Sequence, residues 1–259
     1  MEVLFGKKQD DKQWQPLEHG IMMDRHRQVI GVIGIGRGAG ATFAAMGLAV
    51  KMAEMTEGVT FAEGRLQAAD GNGRRNGDSE NSAHRLLAVD RHFEKKAAAM
   101  GSGPGKRTNI YHKVNWAVCG QLHPGADGHE TEAEEPDYRT FPGKYIIVDS
   151  PQNTKDMDII VCVVDPLPSR IMAGLETFRR IREQQMVPVI WVMNKASSAA
   201  GRREVETFLR LRFTHSIPLV EAEAFYRAEF RCTQPVFEHG MAGTDEAFRR
   251  LAEEILLHN

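Results

Sequence analysis

The residues best placed to do chemistry are small ones. In the stretch "GIGRGAGATF" (34–43), Gly36, Gly38 and Gly40 alternate with Arg37, Ala39 and Ala41 and lead to Thr42. Glycines at this spacing let backbone N–H groups converge on a phosphate, and the N-terminus of a helix that follows adds partial positive charge. A hydroxyl just past the last glycine is where a phosphate loop meets magnesium. The full pattern G-x-x-x-x-G-K-[ST] is broken twice, by Ile35 at the first glycine and by Ala41 at the lysine. Taken alone, the stretch fits a tight structural turn as well as a phosphate cradle.

The elements around it favour the cradle. "QVIGVIG" (28–34) is a nearly continuous apolar run, the pattern of a strand buried on both faces. Residues 42–55 are rich in helix formers, with Ala45, Leu48, Ala49 and Met52 on one face. Further strands are predicted at 59–63, 114–120, 145–149, 158–165, 187–194 and 217–222, most of them β-branched runs bounded by Pro, Asp or Asn. Between them, Ser169 is predicted to cap a helix whose Ile171, Met172, Leu175, Phe178 and Ile181 share a face, and Val205, Phe208 and Leu209 mark another. A last helix spans 244–257, with Thr244 as N-cap and Phe248, Leu251, Ala252 and Ile255 on one stripe. Buried strands alternating with amphipathic helices imply an α/β fold with a mainly parallel sheet and helices on both faces.

The chain has 259 residues, enough for one large α/β domain. The expected organisation is an extension over 1–27 and a single domain over 28–259, with insertions near 64–82 and 121–143. The first insertion, "GRLQAADGNGRRNGDSENS", has too few large apolar groups to offset its chain entropy and reads as a mobile loop. A helix is predicted over 83–100 from Leu86, Leu87, Phe93, Ala97 and Met100.

Lysine and arginine number 33 against 35 acidic residues, so net charge gives no reason to expect a polyanion partner or an anionic membrane surface. Cys119, Cys162 and Cys232 form no C-x-x-C pair, which argues against a disulfide framework and a zinc site. The ten histidines show no H-E-x-x-H spacing, and packing or solvated roles are their default. The early charges of "MEVLFGKKQDDKQWQPLEHG" do not suit a secretory signal, and no stretch reaches the roughly 20 apolar residues of a membrane span. A cytoplasmic location is the expectation.

The ordered landmarks, strand, G-x-G-x-G-x-T, helix, "YIIVDSP", "MDIIVCVVDPLPS", "VIWVMNKA" and "IPLVEAEAFYRAEFRCTQPVFE", resemble the ParA/MinD family of deviant Walker ATPases over about 28–63 and 145–257. The family's loop reads K-G-G-x-G-K-T-T. The resemblance implies a P-loop nucleotide site for ATP or ADP with magnesium. Its nucleotide-binding residues would be Gly36, Arg37, Gly38, Ala39, Gly40, Ala41, Thr42 and Asn194, with Asn194 reading the adenine edge. Thr42 and Asp149 would hold magnesium, and Gln152 stands where the family has a second proline. Protein partners and a homodimer are implied too, and family geometry places "DPLPS" near the dimer surface.

The resemblance also implies what has been lost. The family's signature lysine, which reaches the partner's phosphates, falls on Gly36, and the lysine on the β- and γ-phosphates falls on Ala41. Its two acidic positions at the second strand fall on Glu63 and on Arg65. Phosphoryl transfer rests on positioning and charge stabilisation, so efficient hydrolysis is not expected from this loop.

Two alternatives stand beside a degenerate nucleotide-binding protein that acts in positioning or assembling a cellular machine. Arg37 could replace a missing lysine and sustain slow ATP hydrolysis. Alternatively, "GRGAGA" fits the dinucleotide fingerprint of an NAD-binding oxidoreductase, with Glu63 as the ribose-binding acid, although that acid lies 27 residues beyond Gly36 instead of about 20. Arg202, Arg203, Arg210 and Arg212 could face DNA, but the interleaved Glu204 and Glu206 suit a solvated helix face better.

Overall fold

A computed structural model describes residues 27–64, 108–117, 137–151, 153–183, 186–197, 201–231, 235–237 and 242–258. The predicted loop at 64–82, beyond Gly64, and the predicted helix at 83–100 lie outside the described residues, as does nearly all of the 1–27 extension.

Eight strands form one sheet: β1 (Gln28–Gly34), β2 (Val59–Glu63), β3 (Thr108–Tyr111), β4 (Val114–Ala117), β5 (Tyr145–Asp149), β6 (Ile159–Val164), β7 (Val189–Ala196) and β8 (His215–Pro218). Their order is β3-β4-β2-β5-β1-β6-β7-β8, parallel throughout except where edge strand β3 runs antiparallel to β4. The predicted mainly parallel α/β architecture is therefore present.

The period of two along each strand sorts side chains onto two faces. Ile30, Val32, Tyr145, Ile147, Ile159, Val161 and Val163 face α1 (Ala41–Met55) and the last helix, while Val29, Ile146, Val148, Ile160 and Cys162 enter the opposite core. The opposite face is covered nearer β7 by α2 (Pro168–Glu183) and α3 (Arg202–Leu209), through Ile171, Phe178, Val205 and Leu209. A fourth helix, α4 (Ala222–Arg231), precedes the last, α5 (Ala242–Leu257).

Several element ends differ from expectation. Helix α2 begins at Pro168, so a proline with a preset φ opens the helix and Ser169 lies inside it. Helix α5 begins at Ala242, which places Thr244 in its first turn and buries it. Strand β8 ends at Pro218, and Ala222, predicted as strand, opens α4. Met172, predicted on the buried face of α2, and Phe208 of α3 are exposed.

Connections fix where a ligand can bind. The chain leaves β1 for α1 on one face, whereas it leaves the adjacent β6 for α2 on the other. That reversal opens a crevice at the carboxyl ends of β1 and β6, where open α/β sheets bind ligands. Residues 35–40 lie there. In the dinucleotide-binding order β2 neighbours β1; here β5 separates them, so Glu63 at the end of β2 stands two strands from β1.

Helix α1 is buried almost all round, from Phe43 to Ala53. Gly47 makes this possible, because a Cβ there would lie 2.3 Å from the Phe248 ring of α5. Lys51 adds a polar tie, its Nζ lying 2.5 Å from Asp245 Oδ1. Burial works against its charge, yet hydrogen bonds to Asp245 and Glu54 hold the ammonium above the usual lysine range. On the other face Gly174 of α2 meets the start of the glycine loop, where a Cβ would stand 1.8 Å from the Ile35 carbonyl oxygen. Gly47→Ala and Gly174→Ala should each lower stability by about 1–3 kcal/mol through overpacking, seen as a lower urea midpoint with unchanged slope. Wild-type midpoints in both variants would contradict these contacts.

Candidate functional site

The loop begins where β1 ends. Ile35 is buried and its N–H donates to Val163 O of β6 at 3.0 Å, which ties the loop's root to the neighbouring strand. Gly38 (φ 74°) and Gly40 (φ 90°) adopt left-handed backbone, which glycine enters without a Cβ penalty. Between them the Ala39 N–H closes a turn onto Gly36 O at 3.1 Å. Gly40 is then the N-cap of α1, whose start has no side-chain cap and no acidic residue in its first turn. Such a helix start presents N–H groups and partial positive charge to whatever occupies the crevice.

Three consecutive loop carbonyls are held from outside by side chains. Arg170 Nη1 donates to Arg37 O at 3.1 Å, Lys195 Nζ to Gly38 O at 2.8 Å, and Asn194 Nδ2 to Ala39 O at 2.7 Å. In a trans peptide the C=O of one residue and the N–H of the next point in opposite directions. Holding the carbonyls of residues 37 and 39 therefore fixes the planes of the two peptides that carry the Gly38 and Gly40 N–H groups. Asn194 also fills the space where a Gly40 side chain would be, its Nδ2 lying 2.2 Å from a Cβ built there.

The clamp is itself anchored. Asp165, buried at the end of β6, accepts from Lys195 Nζ through Oδ2 at 2.6 Å and from the Leu167 N–H through Oδ1 at 3.1 Å. It thus neutralises Lys195 and fixes the turn into α2 together. Lys195 sits at the irregular end of β7 with φ 55°, a left-handed backbone that is costly for a residue with a side chain. Here that backbone accompanies the reach of its ammonium to the loop.

On the other side of β1 stand two carboxylates. Glu63 and Asp149 are register partners at the carboxyl ends of β2 and β5, each only 7% exposed. Asp149 also pairs in register with Val32 of β1, and its Oδ1 accepts from Ser150 Oγ at 3.0 Å. The structure thus brings Gly36, Arg37, Gly38, Ala39, Gly40, Ala41, Thr42 and Asn194 into one loop assembly and places Asp149 on the adjoining strand. Arg65 and Gln152 lie outside the described residues.

Gly36 is crowded. A Cβ on it would come within 2.9 Å of the Arg170 carbonyl oxygen, which belongs to the α2 backbone. No side chain, lysine included, enters at residue 36 unless α2 shifts.

Residues elsewhere are less suited to chemistry. Burial pushes the Cys162 thiol well above its ordinary range, so it is a packing residue. Among the described residues no cluster of His, Cys, Asp or Glu is built to hold a metal without help from a ligand, and no helix is long and apolar enough to cross a membrane. Arg202, Arg203, Arg210 and Arg212 line a groove of about 1000 Å³, but Glu206 lies in it and ion-pairs with Arg202 at 2.9 Å. The Arg202 hydrogen bond, with help from the Phe213 N–H, holds the Glu206 carboxyl below its ordinary range.

Asp165, Arg170, Gly174 and Lys195 belong to no sequence pattern that assigns them to the site. An isolated glycine inside the α2 pattern was the one usable signal, since it marks close backbone approach.

No protein-family model matches the chain, and no curated protein does. Solved structures match. A ParA family ATPase from Chlorobium tepidum TLS superimposes with TM-score 0.59 at 13% identity, over 89% of this chain and 99% of that one. The MinC:MinD cell division protein complex of Aquifex aeolicus gives 0.58 at 14%, over 88% and 95%. The septum site-determining protein MinD of Pyrococcus horikoshii OT3, complexed with Mg-ADP, gives 0.53 at 15%, over 89% and 96%. At these identities the likeness is one of fold: the chain has the P-loop NTPase fold in its ParA/MinD form.

Proposed function

We propose that this chain is a ParA/MinD-like nucleotide-binding protein with a degenerate P-loop, which binds ATP or ADP with magnesium weakly, hydrolyses little or no ATP, and helps position or assemble a cellular machine through protein contacts. One observation carries the reading. The loop keeps the backbone shape of a phosphate cradle, with Gly38 and Gly40 left-handed ahead of an uncapped α1, while Gly36 and Ala41 supply no cation.

The residues present suit a nucleotide. The peptides that carry the Gly38 and Gly40 N–H groups are held by the clamp, and Thr42 follows in the first turn of α1. Magnesium binds few protein ligands when phosphates and waters complete its shell, so Thr42 and Asp149 would suffice. Asn194 has its amide N–H on Ala39 O, which leaves Oδ1 for the amino group of an adenine. That the fold also occurs in a MinD solved with Mg-ADP supports this assignment. Without positive charge at residues 36 and 41, the developing charge of phosphoryl transfer goes largely unstabilised.

Exposed apolar residues beside the loop favour protein contacts and a homodimer. Leu167 and Met172, at the start of α2, are 55% and 59% exposed. A second reading, slow ATP hydrolysis with Arg37 as the substitute cation, is favoured by the position of Arg37, exposed on the loop itself.

With magnesium and saturating ATP, phosphate release should stay near background. Robust turnover that Thr42→Ala abolishes would overturn the degenerate reading, and slow turnover lost in Arg37→Ala would establish the second. In calorimetric titrations, Thr42→Ala and Asp149→Asn should each weaken ADP binding in magnesium but leave it unchanged in EDTA. Equal loss in both buffers would remove these residues from the metal site.

A further inference from the structure

The loop has lost two cations, and Arg37 can stand in for only one. A second arginine lies against it. Arg170, in the first turn of α2, places its guanidinium at the loop edge, with Nη1 3.1 Å from Arg37 O. Its Nη1, Cζ and Nη2 are the nearest groups, at 3.7, 3.8 and 3.9 Å, to the space a Gly38 side chain would fill. Because Gly38 has no side chain, the guanidinium borders the loop backbone directly there.

Arg170 keeps its charge where its neighbour does not. Lys195, the other cation bonded to a loop carbonyl, is neutralised by Asp165. Among the described residues no carboxylate lies within ion-pair distance of Arg170, so its full charge remains available beside the crevice.

Its backbone is also fixed. The Arg170 N–H donates to Leu167 O at 2.9 Å, and its carbonyl packs on Gly36 while Gly174, one helical turn on, packs on Ile35. The contact that shuts a side chain out of position 36 therefore delivers an arginine to the same edge of the loop.

We infer that Arg170 is an anion-binding residue of the nucleotide site, contacting the terminal phosphate of a nucleoside di- or triphosphate from within the same chain and replacing the charge absent at residue 36. The inference rests on the nucleotide-binding reading above. Nη1 keeps Arg37 O while the remaining edge of the planar fork turns to the phosphate, a geometry that guanidinium offers and ammonium does not.

Calorimetric titration of the full chain with Mg-ADP tests this, using wild type, Arg170→Gln and Arg170→Lys. Glutamine retains an N–H donor for Arg37 O but no charge; lysine retains charge. Arg170→Gln should weaken ADP binding about ten- to hundredfold, Arg170→Lys should recover part of that loss through its charge alone, and both should keep the wild-type urea midpoint. Wild-type affinity in Arg170→Gln overturns the inference, as does equal weakening in both variants. If the wild-type chain binds neither Mg-ADP nor Mg-ATP, the nucleotide reading itself fails and the inference falls with it.

Discussion

The close approach of α2 to the glycine loop is the constraint on which the site depends. Gly174 lets the α2 backbone touch Ile35, and Gly36 accepts the Arg170 carbonyl in return. With the two backbones in contact, Arg170 falls within reach of Arg37 O, and Asp165 at the turn into α2 anchors the Lys195 bond to Gly38 O. Asn194 completes the set on Ala39 O. Of the three bonds that of Asn194 to Ala39 O is buried, where a carbonyl left without its donor costs about 1–3 kcal/mol. The loop is therefore shaped without a ligand, and in the reading proposed above it would need little further ordering to accept an anion.

The same contact underlies the proposal that this loop hydrolyses little ATP. Excluding a side chain at residue 36 removes the place for a lysine that could reach a second protomer. Ala41 removes the other, at a position that packs against the core around α1 instead. In the reading proposed above, backbone N–H groups, a helix start, Thr42, a carboxylate on β5 and Arg170 would hold a phosphate, with less charge for the transition state than two loop lysines would bring. Glu63 and Asp149, adjacent and buried on neighbouring strands, add negative charge that a magnesium ion would offset.

Much of the scaffold could be read from the residues, because the buried strands are long apolar runs whose ends coincide with Gly, Pro, Asp or Asn. The loop glycines and Thr42 stand out by their spacing next to such a run, whereas Asp149 is named only through the family resemblance. The clamp does not stand out. Lys195 reaches Gly38 across 157 positions of sequence, from a left-handed residue at a strand irregularity, and no local pattern encodes that. Helix starts were misplaced where two signals compete: Pro168 opens α2 ahead of the polar Ser169, and Thr244 lies inside α5 after Ala242. Met172 has the spacing of an apolar stripe, yet the buried stripe is narrower and Met172 faces solvent.

The central claim is that the loop is a true phosphate cradle lacking its cation, and restoring that cation tests it most directly. The measurement is the affinity of Ala41→Lys for Mg-ADP by calorimetry, beside the wild type. The account predicts a gain of about tenfold or more, the worth of one charge-assisted hydrogen bond in a preformed site. Affinity unchanged by the lysine, in a variant that keeps the wild-type unfolding midpoint, would mean that residues 36–42 form only a tight turn and would contradict the account.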